Sequence, residues 1–181
     1  MNLILNGKAL AAFLFIFLMS PVFAQEKINL KSPDGKLVFS FKLQNGEAIY
    51  NINYKRKQLI TDSKLGLLFK ESGEFGKNLT VSKPVFNKVD SYYDLVVGKA
   101  KTVHEVYNEV RIPMIEKTSK PRRIDLIARV FNDGLAYRYE FPEQTHWKEY
   151  TLIDENSTFD IPGDPGVRTL LFNTTNNAHE G

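Results

Sequence analysis

Downstream of residue 25, hydrophobic and polar positions alternate with a period of two, and clusters of turn-forming residues interrupt the alternation. This period sends successive side chains to opposite faces of an extended strand, so each run offers one apolar face to a core. Residues 37–43 place Leu37, Phe39, Phe41 and Leu43 on one face. Asn45-Gly46 follows, a dipeptide that accepts the positive φ angles of a tight hairpin, and Ala48, Tyr50, Ile52 and Tyr54 then stand in register with the first four. Ser32-Pro33-Asp34-Gly35 spells a turn ahead of this pair. A later hairpin joins residues 124–131 to 135–141 through Asn132-Asp133-Gly134, with Leu135, Tyr137, Tyr139 and Phe141 on the buried face and Arg138 and Glu140 on the other. Further strands are expected at 65–70, 84–97 and 102–116, and residues 169–172 are strand-like before a polar loop that runs to Gly181. No segment past the leader carries the three- and four-residue spacing of a helix, so the fold is expected to be an all-β antiparallel sandwich or barrel.

The first 24 residues follow a different pattern. Lys8 precedes an apolar run over residues 9–19, then Ser20-Pro21-Val22-Phe23-Ala24 leads to Gln25. The run falls short of the ~20 residues that span a bilayer as a helix, and the small residue at its end fits a signal peptide cut after Ala24. The expected organisation is therefore a signal peptide over 1–24 and one domain over 25–181. The product is periplasmic or secreted and has no membrane attachment after cleavage.

Composition narrows the chemistry. The 181 residues are 43 % hydrophobic and 25 % charged, with no cysteine, which excludes disulfides, thiolate metal sites and cysteine nucleophiles. The domain can bury one sizeable core but cannot also hold a (β/α)8 barrel, which takes about 250 residues. The net charge is +3. Basic residues cluster only at Lys55-Arg56-Lys57 and Lys120-Pro121-Arg122-Arg123, which read as solvated turns rather than a nucleic-acid face.

Glycoside hydrolysis needs two carboxylates, one of them held protonated by a desolvated setting. Glu105, Glu109, Asp133, Glu140 and Glu155 are available, but spacing singles out none. His104, His146 and His179 show no metal-ligand spacing, and no Gly-x-Ser-x-Gly elbow or phosphate-cradling glycine loop occurs. Tyr92, Tyr93, Trp147 and Tyr150 could build a sugar-stacking platform or belong to the core. In the polar tail, Glu180 could reach a hard cation that takes about six to eight oxygen ligands.

Four blocks in order carry a family likeness: Leu30-Lys31-Ser32-Pro33-Asp34-Gly35; Ile52-Asn53-Tyr54-Lys55 with Ser63-Lys64-Leu65-Gly66-Leu67; Tyr107-Asn108-Glu109; and the run from Phe131-Asn132-Asp133-Gly134 to Tyr139-Glu140-Phe141-Pro142. Together they resemble the N-terminal domain of glycoside hydrolase family 97, the exported α-glucosidases and α-galactosidases of Bacteroidetes. The resemblance implies a galactose mutarotase-like β-supersandwich that packs on a catalytic (β/α)8 barrel carrying the reactive carboxylates. It also implies that Glu180 is the one carboxylate this domain lends to a calcium site built mainly from barrel glutamates. The 181 residues alone are then no hydrolase, and their carbohydrate is an α-glucoside or α-galactoside met by the whole enzyme. The domain of relatives is longer, so some closing strands are expected to be lacking at the C-terminal side. Sheet edges would be left unpaired, and the isolated chain poorly soluble or oligomeric. Two other readings compete: a free-standing carbohydrate-binding module using exposed aromatics such as Trp147, and an aldose mutarotase-like enzyme pairing His104 or His146 with Glu105 or Glu140.

Overall fold

The computed structural model describes residues 27–98 and 101–166. Residues 1–24, the strand-like 169–172, His179 and Glu180 lie outside the described residues. Among those described, the chain forms strands β1 (Ile28–Lys31), β2 (Leu37–Gln44), β3 (Glu47–Tyr54), β4 (Lys57–Lys64), β5 (Leu67–Phe69) and β6 (Gly73–Phe75). It continues through β7 (Leu79–Val81), β8 (Val85–Asp94), β9 (Thr102–Glu116), β10 (Arg123–Val130), β11 (Leu135–Glu140) and β12 (Leu152–Glu155), with no helix. No helix among these residues is long and apolar enough to cross a membrane.

Among the described residues every strand pairing is antiparallel, in three sheets: β1-β2-β3-β4, then β11-β10-β9-β7 with β8 also on β9, and a small β12-β5-β6. The first hairpin has the expected register, Leu37 opposite Tyr54, Phe39 opposite Ile52, Phe41 opposite Tyr50 and Leu43 opposite Ala48. Its turn works because Asn45 (φ 53°) and Gly46 (φ 81°) both sit in the left-handed region. Lys55 and Arg56 adopt the same region in the β3–β4 turn, which leaves Lys55, Arg56 and Lys57 exposed, as the reading of a solvated turn requires.

The core lies between the two large sheets. Phe39, Phe41 and Tyr50 from one sheet meet Val110, Ile112, Met114, Ile124 and Leu126 from the other, and Leu67, Phe69 and Phe75 of the small sheet close one side. Each such side chain, fully buried, contributes about 1.5–3 kcal/mol. At Gly76 the backbone (φ 133°) passes so near Leu65 that a Cβ would sit 2.6 Å from its carbonyl oxygen, so the approach of these segments requires glycine there.

The outer faces are polar but ordered. Asn29, Ser40, Asn51 and Asp62 form a ladder across the first sheet, with Ser40 Oγ donating to Asn29 (2.7 Å) and Asn51 Nδ2 donating to Asp62 (2.8 Å). This explains why β4 gives no strand signal. Its eight residues fully bury only Ser63 and half-bury Ile60 against the core, so hydrogen bonding to β3 and this ladder hold it more than an apolar face does. The short β1, β6, β7 and β12 also escape the pattern, being only three or four residues long.

Candidate functional site

Among the described residues a broad concavity lies where the two main sheets part beside the β10–β11 turn. Leu37, Ile52, Ile60, Leu135, Tyr137 and Phe159 form its apolar wall, and Asn132, Asp133, Glu155 and Ser157 supply polar groups in an open groove of about 970 Å³. Segment 155–160 crosses beside it, held by three tyrosines from the core. Tyr50 donates to the Thr158 carbonyl (2.8 Å), Tyr139 bonds the Ser157 hydroxyl (2.8 Å), and Tyr137 donates to Glu155 at 3.4 Å. Burial raises the phenol of Tyr137 above its ordinary range, so it stays a neutral donor. The two turns nearest the groove are joined, since the Asp34 amide donates to Asn132 Oδ1 at 2.9 Å. Hydrogen bonds from Lys36 and Ser32 hold the Asp34 carboxyl well below the usual carboxylate range.

The structure separates the carboxylates by role. Glu140 takes two bonds from Arg111 (2.5 and 3.1 Å), and that guanidinium also donates to Asp125 at 3.0 Å. Arg123 grips Asp125 from the other side at 2.8 and 2.9 Å. Burial by itself would raise Asp125, but bonds from Arg123 and Arg111 outweigh it and hold the carboxyl below the ordinary range; Arg111 does the same for Glu140. Glu109 is bound by Arg129 at 2.7 Å, whose guanidinium lies 4.6 Å over the Tyr107 ring. Asp125 and Glu140 are held ionised, the opposite of what a general acid needs. Among the described carboxylates Asp133 and Glu155 alone line the groove, and both are exposed.

The histidine–glutamate pair of a mutarotase-like site is not assembled. His104 Nε2 bonds Asp90 at 2.7 Å and its ring stacks on Tyr92, with centroids 4.1 Å apart. His146 Nε2 donates to the Pro121 carbonyl at 2.8 Å. Among the described residues no three histidine, aspartate or glutamate side chains converge as a metal site would require, and Glu180 lies outside them.

One expectation is corrected. Arg122 and Arg123, read as parts of a solvated turn, are structural ion-pair partners. Arg122 is buried, its Nε and Nη2 each donating to Glu116 at 2.6 Å while Nη1 reaches Ser72 Oγ (2.7 Å) and Nη2 the Glu74 carbonyl (2.7 Å). Phe69, Phe75 and Trp147 surround the guanidinium at 5.6–5.7 Å. The turn places this arginine between β9 and β10, where its five donors find fixed acceptors and its flat face meets aromatic rings. Trp147 and Tyr150 belong to the same knot. They stack on each other at 4.7 Å, and Tyr150 stacks on Phe141 at 4.9 Å, so these aromatics spend their faces on packing. Arg111 and Asp125 were not foreseen either; alternation puts both on the outer face, but their meeting needs the register of three strands.

A family model described as "Glycosyl-hydrolase 97 N-terminal" matches residues 30–181. The chain belongs to this family. The glycosyl-hydrolase 97 N-terminal fold is also that of solved enzymes. A family 97 glycoside hydrolase from Pseudoalteromonas sp. strain K8, in complex with acarbose, aligns over 75 % of this chain at 23 % identity with a TM-score of 0.70. The same bacterium's E480Q enzyme in complex with panose aligns equally well. A β-arabinopyranosidase aligns over 75 % of the chain at 28 % identity with a TM-score of 0.67. The matched part is 20 % of the acarbose complex and 21 % of the arabinopyranosidase, so this glycosyl-hydrolase 97 N-terminal chain spans about one fifth of the solved structures it matches.

Proposed function

We propose that this chain is the non-catalytic N-terminal domain of an exported family 97 glycosidase, supporting a catalytic barrel in the breakdown of α-glucosides or α-galactosides. The observation that carries this reading is the state of its carboxylates: Asp125 and Glu140, the acids in the strand network, are clamped by arginines and held ionised. A glycosidase needs a carboxylic acid that keeps its proton. Membership of the family supports a partner of this kind, a catalytic domain elsewhere in the enzyme. Residues 1–24 direct export, with cleavage after Ala24. The relatives solved with acarbose and panose support a saccharide substrate for the whole enzyme.

Glu180 lends one oxygen ligand to a calcium ion whose other ligands come from the barrel, since a cation of this kind takes about six to eight oxygens. Calorimetric titration of calcium into the whole enzyme reads this directly: Glu180→Gln weakens binding, while equal affinity in both proteins removes the residue from the site. For the scaffold role, the purified chain is expected to release no nitrophenol from nitrophenyl α-glucoside or α-galactoside. Sustained turnover free of contaminating activity refutes the proposal.

The groove supports a second reading, a saccharide-binding module, because exposed carboxylates beside an aromatic wall suit hydroxyl-rich ligands. Titration with maltose and melibiose separates the two. Saturable binding abolished by Phe159→Ala favours the module, and no binding favours the scaffold.

A further inference from the structure

β8 is an edge strand of unusual character. It is ten residues long, against about five or six for an average strand, and its one partner among the described residues is β9. Beyond Asn108, β9 has no β10 on its other side, so the far part of the pair is a two-stranded ribbon, anchored at its base by the buried Tyr107. Phe86 and Tyr92 are 54 % and 69 % exposed on one face, and Val85 and Tyr93 are 59 % and 46 % exposed on the other. A long apolar edge of this kind is a template for another strand unless charge or proline blocks it.

The open edge can be assigned residue by residue. The β8–β9 register runs from Val85 opposite Arg111 to Asp94 opposite Thr102, and one step further the Leu95 amide donates to the Lys101 carbonyl at 2.8 Å. Odd-numbered residues therefore spend their backbone groups on β9, and even-numbered residues turn theirs to the open edge. The Lys88 amide, on that edge, is taken up by its neighbour Asn87 Oδ1 at 2.9 Å.

We propose that β8 pairs with β8 of a second copy of this chain, antiparallel and about a two-fold axis through Val89. This inference is independent of the proposed function. In that register Lys88 faces Asp90 of the other copy and Asp90 faces Lys88. Phe86 lies against Tyr92, Val85 against Tyr93, and Val89 against itself. Even residues meet even residues, as the hydrogen-bonding pattern demands. An axis between two residues would set even against odd, and an axis on Lys88 or Asp90 would set each charge against its own copy. The Lys88 charge that guards the edge is thus neutralised at the middle of the strand, whereas a two-fold on Ser91 would pair Lys88 with the terminal Asp94 and leave Asp90 against Tyr92. Asp90 already accepts from His104 through Oδ1, which leaves Oδ2 for the incoming lysine. Such a two-fold contact closes on itself and gives a dimer rather than a fibre.

The absence of cysteine from the chain makes the test direct. In the full chain, Val89→Cys is expected to give a reducible covalent dimer under mild oxidation, because directly opposed residues bring their Cβ atoms within about 5.5 Å. Asn87→Cys, which faces Ser91 rather than itself, should not. By sedimentation, Lys88→Asp should raise the dimer dissociation constant about tenfold, and the swap Lys88→Asp with Asp90→Lys should restore it. Unchanged Trp147 fluorescence confirms that the variants fold. A chain that stays monomeric at high concentration, a dimer indifferent to Lys88→Asp, or equal cross-linking at positions 87 and 89 overturns the proposal. So does a whole enzyme in which Val89→Cys stays uncoupled because another domain covers the edge.

Discussion

The two ends of β11 treat the same core in opposite ways. At Phe141 the sandwich is sealed by a knot of Arg122, Glu116, Trp147 and Tyr150, in which the guanidinium is buried and its donors reach fixed acceptors. At Leu135 the sheets part into the groove, and half-buried Leu135, Ile60 and Tyr137 border water. The difference shows that sealing a sandwich end takes more than apolar residues. The sealed end has an ion pair whose polar demand is fully met, so aromatic rings can pack over it, while the open end has only side chains that reach the rim.

The contrast is broken most severely at Arg122. Arg122→Met leaves Glu116, its side chain 10 % exposed, without its partner and should cost about 3 kcal/mol, read as a fall in the urea midpoint. Adding Glu116→Leu should recover much of that loss. Trp147 is the only tryptophan, so its fluorescence reports this end specifically. Trp147→Ala comes next, at roughly 2–3 kcal/mol because the ring is only partly buried, with circular dichroism as the readout.

A pH series tests the arginine lattice on the outer face of the same sheet. Asp125 and Glu140 have folded values below their unfolded ones, so their stabilisation is fully present above about pH 5, the upper side of the unfolded carboxylate range. It is lost as pH falls through the depressed folded values. Arg111→Met should therefore be less stable than the parent above pH 5, and the gap should narrow as acid protonates both carboxyls in either state. A gap that widens in acid would show the lattice working in the other direction.

The smallest effect is expected at the groove. Leu135→Ala should cost less than about 1 kcal/mol, since its side chain already touches water. If it costs as much as Trp147→Ala, the groove is covered in solution and the two ends are alike.

Much of the fold could be read from local pattern. The β2–β3 hairpin was legible to the residue, because alternation assigns faces and Asn45-Gly46 assigns register. The β10–β11 hairpin was legible for the same reason, and its family-like block proved to border the groove. β4 was not legible, since what holds it is a polar ladder whose other members lie on three different strands. Trp147 and Tyr150 could not be told from a sugar platform, because a ring's free face is a property of its neighbours and not of its own position in the chain.

The amino-acid sequence by itself determined the all-β class, the faces of the long strands, the tight turns and the family, since these depend on residues adjacent along the chain. Tertiary structure alone decided that Arg122 is interior, that Arg111 and Asp125 meet, and that the sandwich is sealed at one end of β11 and open at the other. Those outcomes depend on register between strands distant in sequence, where a shift of one residue turns every side chain to the opposite face.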